Sequence, residues 1–510
     1  MVLATVASAT LVGVEGRPIE VEVHVSRGLP SFTIVGLPDA SCRESRDRVR
    51  AAILSSGLAW PQHRVTVNLA PSSLRKGGAG LDLPIAVALL AADGQLPLDA
   101  LPGLGCLGEL GLDGSIRRVS GVLPLVDAIN AARVVVPGSC AGEASLVRPG
   151  KVVAVPTLST LAAVLKGEEG WPETPFFLPV DDTGAGPDMA DVRGQPIGRL
   201  AAEVAAAGGH HLLLVGPPGA GKTMLAERLP GLLPELTTEE ALEVTRVHSA
   251  AGLPLPRGVL VRRPPFRAPH HSSSLVSLIG GGTTMMRPGE LSCAHNGVLF
   301  LDELGEFPSD VLDTLRQPLE EGKVLVCRAR ASVVFPARVL LVAAMNPCPC
   351  GGGGAPGACR CSDAALARYA ARVSAPLLDR FDLRVSVDRP DVGELMGDGS
   401  SSPAPPESSQ AIARRVRAAR DLAVRRGFAL NSAIPARELD VAAPLQPKAR
   451  TMLETRLRQG RLSARGLHRV RRVARTLADL SGHGGDIREE HVTTALALRG
   501  PVFEPEGVTL

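Results

Sequence analysis

The eight residues Gly216-Pro217-Pro218-Gly219-Ala220-Gly221-Lys222-Thr223 constrain this chain more than any other part of it. They complete the pattern G-x-x-x-x-G-K-S/T. The apolar run Leu212 to Val215 precedes them as a buried strand would, and Met224 to Leu229 follows with helical character. The chemistry demands that order. Glycines let backbone N–H groups curl around phosphate oxygens, and the next helix presents the positive end of its dipole. Lys222 is placed to reach the β- and γ-phosphates, and the Thr223 hydroxyl to ligate Mg2+. A nucleoside triphosphate, ATP in the first instance, is the expected ligand.

At 510 residues the chain exceeds what one core serves, so several domains are expected. Hydrophobic residues at 45% and charged residues at 21% are the composition of a water-soluble globular protein. The formal net charge is only +3, so a surface that attracts nucleic acid must be local; aromatics at 3% argue against extensive base stacking. The longest apolar runs, such as Leu83 to Ala92, fall well short of the roughly 20 residues a membrane helix needs. The N-terminal segment has no basic residue before Arg17, unlike a signal peptide, and Ile19 to Val25 alternates as a strand does. A cytoplasmic protein without membrane partners is expected. Four of the nine cysteines cluster in a way that suggests metal rather than disulfides.

Residues 1–167 mix short strands with helices and carry no phosphate loop. Residues 168–190, rich in proline, glycine and acids, read as a linker. From 191 to 392 strand and helix alternate, which implies a parallel α/β sheet around the phosphate loop. A second linker is expected at 393–409, and 410–510 is helical in period and basic, notably from Arg456 to Arg475.

Val298 to Leu301 is an apolar strand ending in Asp302-Glu303. Asp302 is placed to hold Mg2+, and Glu303 to orient and deprotonate the attacking water. The next apolar strand, Val339 to Met345, ends at Asn346, whose amide can meet the γ-phosphate or that water; an ordinary turn residue is the alternative. Arg380, within Leu377-Leu378-Asp379-Arg380-Phe381-Asp382, stands where an arginine can neutralise charge on a neighbouring subunit's nucleotide, with a surface ion pair as its alternative.

In this order the motifs resemble an AAA+ ATPase of the helix-2-insert branch. Pro264-Pro265-Phe266-Arg267-Ala268-Pro269-His270-His271, Arg287-Pro288-Gly289-Glu290-Leu291, Ala294-His295-Asn296-Gly297 and Asn346-Pro347-Cys348-Pro349-Cys350-Gly351 narrow the resemblance. They point to the ComM/YifB family of magnesium chelatase-like ATPases, over nearly the whole chain. The resemblance implies Asn346 as sensor 1, Arg380 as arginine finger and Arg465 as the sensor 2 arginine of a C-terminal helical lid. It places Asp191-Val192-Arg193-Gly194-Gln195 near the adenine. It also implies a homo-oligomer, a hexameric ring, promoting branch migration of DNA in homologous recombination and natural transformation. Residues 1–165 resemble the proteolytic domain of Lon, through Gly108-Glu109-Leu110-Gly111-Leu112-Asp113-Gly114. Gly80 falls at the nucleophile position and Leu123 at that of the catalytic lysine, so no peptidase activity is expected. Arg75 and Lys76 are candidate phosphate contacts there, with a solvated loop as their alternative. The expected fold is thus multidomain α/β: a Lon-protease-like α+β domain, an AAA+ core with a parallel sheet, and an α-helical lid.

Cys348-Pro349-Cys350 and Cys359-Arg360-Cys361 place four thiols within fourteen residues, a set able to wrap Zn2+ tetrahedrally. An unmetallated cysteine loop is the alternative. A bound metal would sit directly after Asn346, where it could couple to the nucleotide state. Glu320 to Pro336 reads as a β-hairpin. In related ring motors such a hairpin points into the pore, where Lys323, Arg328 and Arg330 would track phosphates without reading bases; solvated hairpin charges are the alternative. For His270 and His271 a structural or pore-loop role is expected. Two other readings stay open: a chelatase-type subunit that remodels a protein partner, and a nucleotide-gated regulatory assembly module.

Overall fold

The computed structural model of the chain describes residues 2–74, 76–173, 186–256, 258–282, 286–328, 331–352, 359–390 and 407–500. In the N-terminal part, strands Val2–Val12 and Glu15–Ser26 form a long antiparallel hairpin. Val21, Val23 and Val25 are buried, while Glu20 on the opposite face is exposed, the period of a half-buried strand. The hairpin lies inside a seven-stranded mixed sheet, with Ser31–Val35 at one edge and Val152–Ala154 at the other. Helix Asp82–Ala92 is buried over its whole length, which accounts for the apolar run there as core. Among the described residues no helix is long and apolar enough to cross a membrane.

One expectation for this region is corrected. Lys76 has no exposed surface, and its Nζ donates to the Pro71 carbonyl. A buried ammonium with a carbonyl partner cannot meet a phosphate on the surface. Arg75 lies outside the described residues.

The middle of the chain builds a five-stranded sheet, all parallel, in the order Phe266–Arg267, Gly297–Leu301, Val339–Met345, Leu212–Val215, Leu383–Ser386. Both faces are covered, and alternate side chains enter two different cores. Leu212, Leu214, Phe300 and Val342 pack with helix Pro196–Gly208 and the C-terminal helices. Leu213, Leu299, Leu301 and Leu341 pack with Phe307, Phe335 and Tyr369 on the other side. Residues 188 and 189, within the stretch expected as linker, are packed. Met189 is fully buried, and the Asp188 carboxylate accepts from the backbone N–H of Ser409 at 2.8 Å.

The N-terminal part abuts this body along helix Thr238–Ala251 and at the turn of its long hairpin. Asp127 pairs with Arg246 at 2.5 Å on helix Thr238–Ala251, and the Gly121 N–H donates to the Ser249 carbonyl at 2.9 Å. At the turn of the long hairpin, a Cβ on Gly13 would lie 2.2 Å from Val333 Cγ1, so only glycine lets the two hairpins approach this closely.

The C-terminal region is helical: Ser409–Arg425, Pro447–Arg458, Ala464–Leu480 and Glu489–Ala497. The second half of its basic run is tied inward, while Arg456, Arg458, Arg461 and Arg465 are exposed. Arg469 pairs with Asp382 at 3.3 Å, Arg471 with Asp440 at 2.8 Å, and the buried Arg475 with Asp479 at 2.9 Å. His210 Nδ1 also lies 3.0 Å from Asp382. Burial alone would raise the Asp382 carboxyl, but His210 and the Arg469 guanidinium hold it down at about 2. Because this folded value lies below the unperturbed 3.8, its stabilisation is present above about pH 4 and is lost as the pH falls through 2. Asp382→Asn leaves Arg469 and His210 without their anion. It is expected to cost about 3 kcal/mol in urea denaturation at pH 7, a difference that shrinks below pH 4.

Candidate nucleotide site

Three strands end at one place. The carboxyl ends of Leu212–Val215, Gly297–Leu301 and Val339–Met345 lead into Gly216, Asp302 and Asn346, at the edge of a parallel sheet where ligand clefts form. Pro218 to Met224, Asp302, Glu303, Met345 and Asn346 line the resulting cleft.

The glycines of the loop have distinct tasks. A Cβ on Gly216 would lie 2.0 Å from the Val387 carbonyl oxygen, so this glycine permits close backbone packing. Gly219 and Gly221 adopt φ of +78° and +85°, in the left-handed region, with open space where a side chain would stand. Gln195, itself at φ +58°, braces the loop by donating to the Ala220 carbonyl at 3.0 Å and to that of Asp388.

Lys222 is largely buried, and its Nζ donates to three neutral oxygens: Gly216 O at 2.6 Å, Pro217 O at 3.0 Å and Asn346 Oδ1 at 3.1 Å. Burial pushes its ammonium below the usual lysine range, against the pull of Asp302 and Glu303. Thr223 Oγ1 donates to Asp302 Oδ2 at 3.0 Å, and Asp302 Oδ1 accepts from the Glu303 N–H at 2.9 Å. Glu303 holds φ +52°, a left-handed conformation that costs a non-glycine residue on the order of 1–3 kcal/mol. Glu303 is among the residues that line the cleft.

The structure therefore brings Lys222, Thr223, Asp302, Glu303 and Asn346 together. Other predicted residues lie elsewhere. Arg380 is outside the cleft of its own chain and pairs with Glu320 at 2.9 Å. Arg465 is exposed in the first turn of Ala464–Leu480 and does not line the cleft. Strands Lys323–Arg328 and Ala331–Pro336 form the expected hairpin, where Lys323 is exposed and 4.0 Å from Glu321. The Arg328 side chain and Arg330 lie outside the described residues.

Two contacts had no signal in the sequence. His271 Nδ1 lies 3.2 Å from Glu303 Oε2, its ring tilted against that of His270 at a centroid distance of 4.1 Å. Arg389 Nε donates to the Pro218 carbonyl at 3.3 Å. Both cross the sheet end between segments far apart in the chain, so no local spacing marks them.

The Sγ atoms of Cys348, Cys350, Cys359 and Cys361 all lie within 4.8 Å of one another. Backbone N–H groups of Arg360 and Gly352 lower the Cys350 thiol to about 6. The Cys359 and Cys361 thiols are raised instead, so it is the spacing of the four sulfurs that suits a soft cation.

A glycine loop, a buried lysine and paired carboxylates at the carboxyl ends of a parallel sheet define a nucleoside-triphosphate-binding protein of the phosphate-loop class. Comparison with known proteins refines that class. Residues 188–395 match the family model described as magnesium chelatase, subunit ChlI. Residues 21–139 match subunit ChlI of Mg-chelatase, and 406–499 the magnesium chelatase subunit ChlI C-terminal model. An uncharacterised protein of Mycobacterium tuberculosis is 45% identical over 513 residues, covering 98% of this chain and 99% of that protein. The uncharacterised protein YifB of Escherichia coli is 42% identical over 508 residues, covering 98% and 97%. The competence protein ComM of Haemophilus influenzae is 42% identical over 508 residues, covering 98% of each. The chain belongs to the ComM/YifB family of magnesium chelatase-like AAA+ proteins.

Proposed function

We propose that this protein is an ATP-hydrolysing ring motor that acts on DNA, a branch-migration helicase serving homologous recombination and the integration of DNA in natural transformation. The observation that carries the ATPase part is Lys222: a buried cation bonded to neutral oxygens, beside two carboxylates and under an open glycine cradle. That arrangement suits a triphosphate, with the backbone of Gly219 to Thr223 and the Lys222 ammonium receiving its oxygens. Thr223 and Asp302 are the groups for Mg2+, which would draw charge off the phosphates. Glu303 takes the proton of the attacking water, and Asn346 orients that water or the γ-phosphate. Arg380 acts on the nucleotide of an adjoining subunit in a hexamer, with Arg465 on a helical lid. Zinc is the further cofactor of this reading, held by the four clustered thiols.

Similarity along nearly the full length to a competence protein supports the DNA part. In this reading the hairpin at 323–336 carries Lys323, Arg328 and Arg330 to the strand backbone, and the N-terminal domain is a non-proteolytic relative of the Lon fold that supports assembly. The working compartment is the cytoplasm. A chelatase-type subunit remains the second reading, because all three family models carry that name.

ATPase rates with and without DNA separate the two. Branched or single-stranded DNA is expected to raise kcat by about tenfold or more, with a stimulation that weakens steeply as salt rises. Junction DNA that neither binds nor raises the rate would sink the DNA reading and favour a protein substrate.

A further inference from the structure

The four thiols are wired into the nucleotide cleft from two sides. Cys348 and Cys350 are 3.3 Å apart at sulfur, and Cys350 and Cys359 are 3.9 Å apart. One tetrahedral ion with Zn–S of about 2.3 Å sets sulfurs roughly 3.8 Å apart, so the set suits a single zinc. On the first side, Gly351 at φ +71° presses on the phosphate loop: a Cβ there would lie 2.9 Å from Pro218 Cγ and 3.1 Å from Cδ. Any larger residue would push the cysteine loop off the loop that receives phosphate.

On the second side, Cys361 is followed by Ser362, whose side chain caps helix Asp363–Arg372. That helix returns to the cleft. The hydroxyl of the buried Tyr369 stands beside the Asn346 backbone, whose N–H offsets part of the upward push that burial gives the phenol. The Tyr369 ring lies flush against Gly305, where a Cβ would meet it at 2.6 Å. Arg372 Nη1 donates to Gly305 O at 2.9 Å and pairs with Glu306 at 2.8 Å. The helix therefore ties Asn346 to the turn that begins at Glu303, and the cysteine cluster anchors the start of that helix against the phosphate loop.

We infer that a single zinc ion in the cysteine cluster clamps the cleft, setting Asn346 and Glu303 for hydrolysis while leaving nucleotide binding to the phosphate loop itself. This rests on the ATPase reading of the cleft. Removing zinc would loosen Asn346 and the turn that carries Glu303 together, because one helix packs against the Asn346 backbone and holds Gly305 and Glu306. Lys222 and the glycine cradle would keep their own backbone supports.

The test uses the full chain. Zinc per chain is measured in the purified protein, which is then stripped with a chelator and reloaded with zinc alone. ATP turnover and binding of a non-hydrolysable ATP analogue are followed throughout. About one zinc per chain is expected. Stripping is expected to lower kcat by about 10- to 100-fold, with analogue affinity within about threefold, and zinc is expected to restore the rate. Tyr369→Phe, which keeps all four thiols, is expected to retain zinc and lose kcat in the same direction. It therefore reads the coupling even if the stripped protein unfolds. Full turnover after zinc removal, or in the zinc-loaded Tyr369→Phe protein, would overturn the clamp. Protein purified without zinc that hydrolyses ATP at a rate added zinc does not raise would overturn it while leaving the ATPase reading intact. Zinc-loaded protein with no ATPase activity under any DNA condition would overturn the ATPase reading, and the clamp with it.

Discussion

Glu303→Gln is expected to lower the ATPase kcat by about 10²- to 10⁴-fold while keeping ATP bound. The substitution preserves the shape of the side chain and removes only its capacity to take a proton. The left-handed turn at 303 is a backbone property, and the Thr223–Asp302 hydrogen bond at 3.0 Å does not involve the Glu303 side chain. Lys222 keeps its three oxygen partners, so the phosphate subsite survives. The carbonyl oxygen of the introduced amide would still face His271, which argues against a rearranged cleft as the cause of any loss. Steady-state turnover and binding of labelled ATP to the variant check both halves. A kcat within a few-fold of the parent protein would remove Glu303 from its assigned role.

Arg380→Ala is expected to cost about 10³-fold in turnover, the scale of an arginine that meets developing phosphate charge, with little change in folding. In its own chain Arg380 is held by Glu320 at 2.9 Å and takes no part in lining the cleft. An effect of this size can therefore come only through a second subunit. Mixing makes that decisive. Arg380→Ala and Glu303→Gln proteins are each expected to be inactive alone, yet a mixed assembly of the proposed ring would contain interfaces where an intact Glu303 faces an intact Arg380. Random assembly gives about one quarter of such interfaces, so a matching fraction of activity is expected to return. A mixture as inactive as its components would place Arg380 outside the reaction or within its own subunit's site.

How far the site could be read in advance depended on how local each feature is. The phosphate loop, Asp302-Glu303 and Asn346 each follow an apolar strand directly, so strand periodicity and the residue at its end locate them. Lys76 misled for the opposite reason. A lysine among glycines reads as a solvated loop, and only the packing shows its ammonium enclosed with the Pro71 carbonyl as partner. The basic helix Ala464–Leu480 is a similar case. It reads as helical and basic, and only the fold shows that Arg469, Arg471 and Arg475 are bonded to acids contributed by Asp382, Asp440 and Asp479. Charge in a sequence says nothing of its partner when that partner, as Asp382 is for Arg469, stands 87 residues away.

The amino-acid sequence alone determined which chemical groups the cleft would contain, because glycine spacing, strand ends and carboxylate pairs are short-range patterns. The tertiary structure decided their neighbours. The phosphate-loop strand sits between Val339–Met345 and Leu383–Ser386 rather than beside Gly297–Leu301, which carries Lys222 to within 3.1 Å of Asn346. The same folding presses Gly351 on Pro218 and sets His271 against Glu303. Such contacts follow from strand order and from backbone approach at glycine, and neither is encoded in the spacing of a single segment.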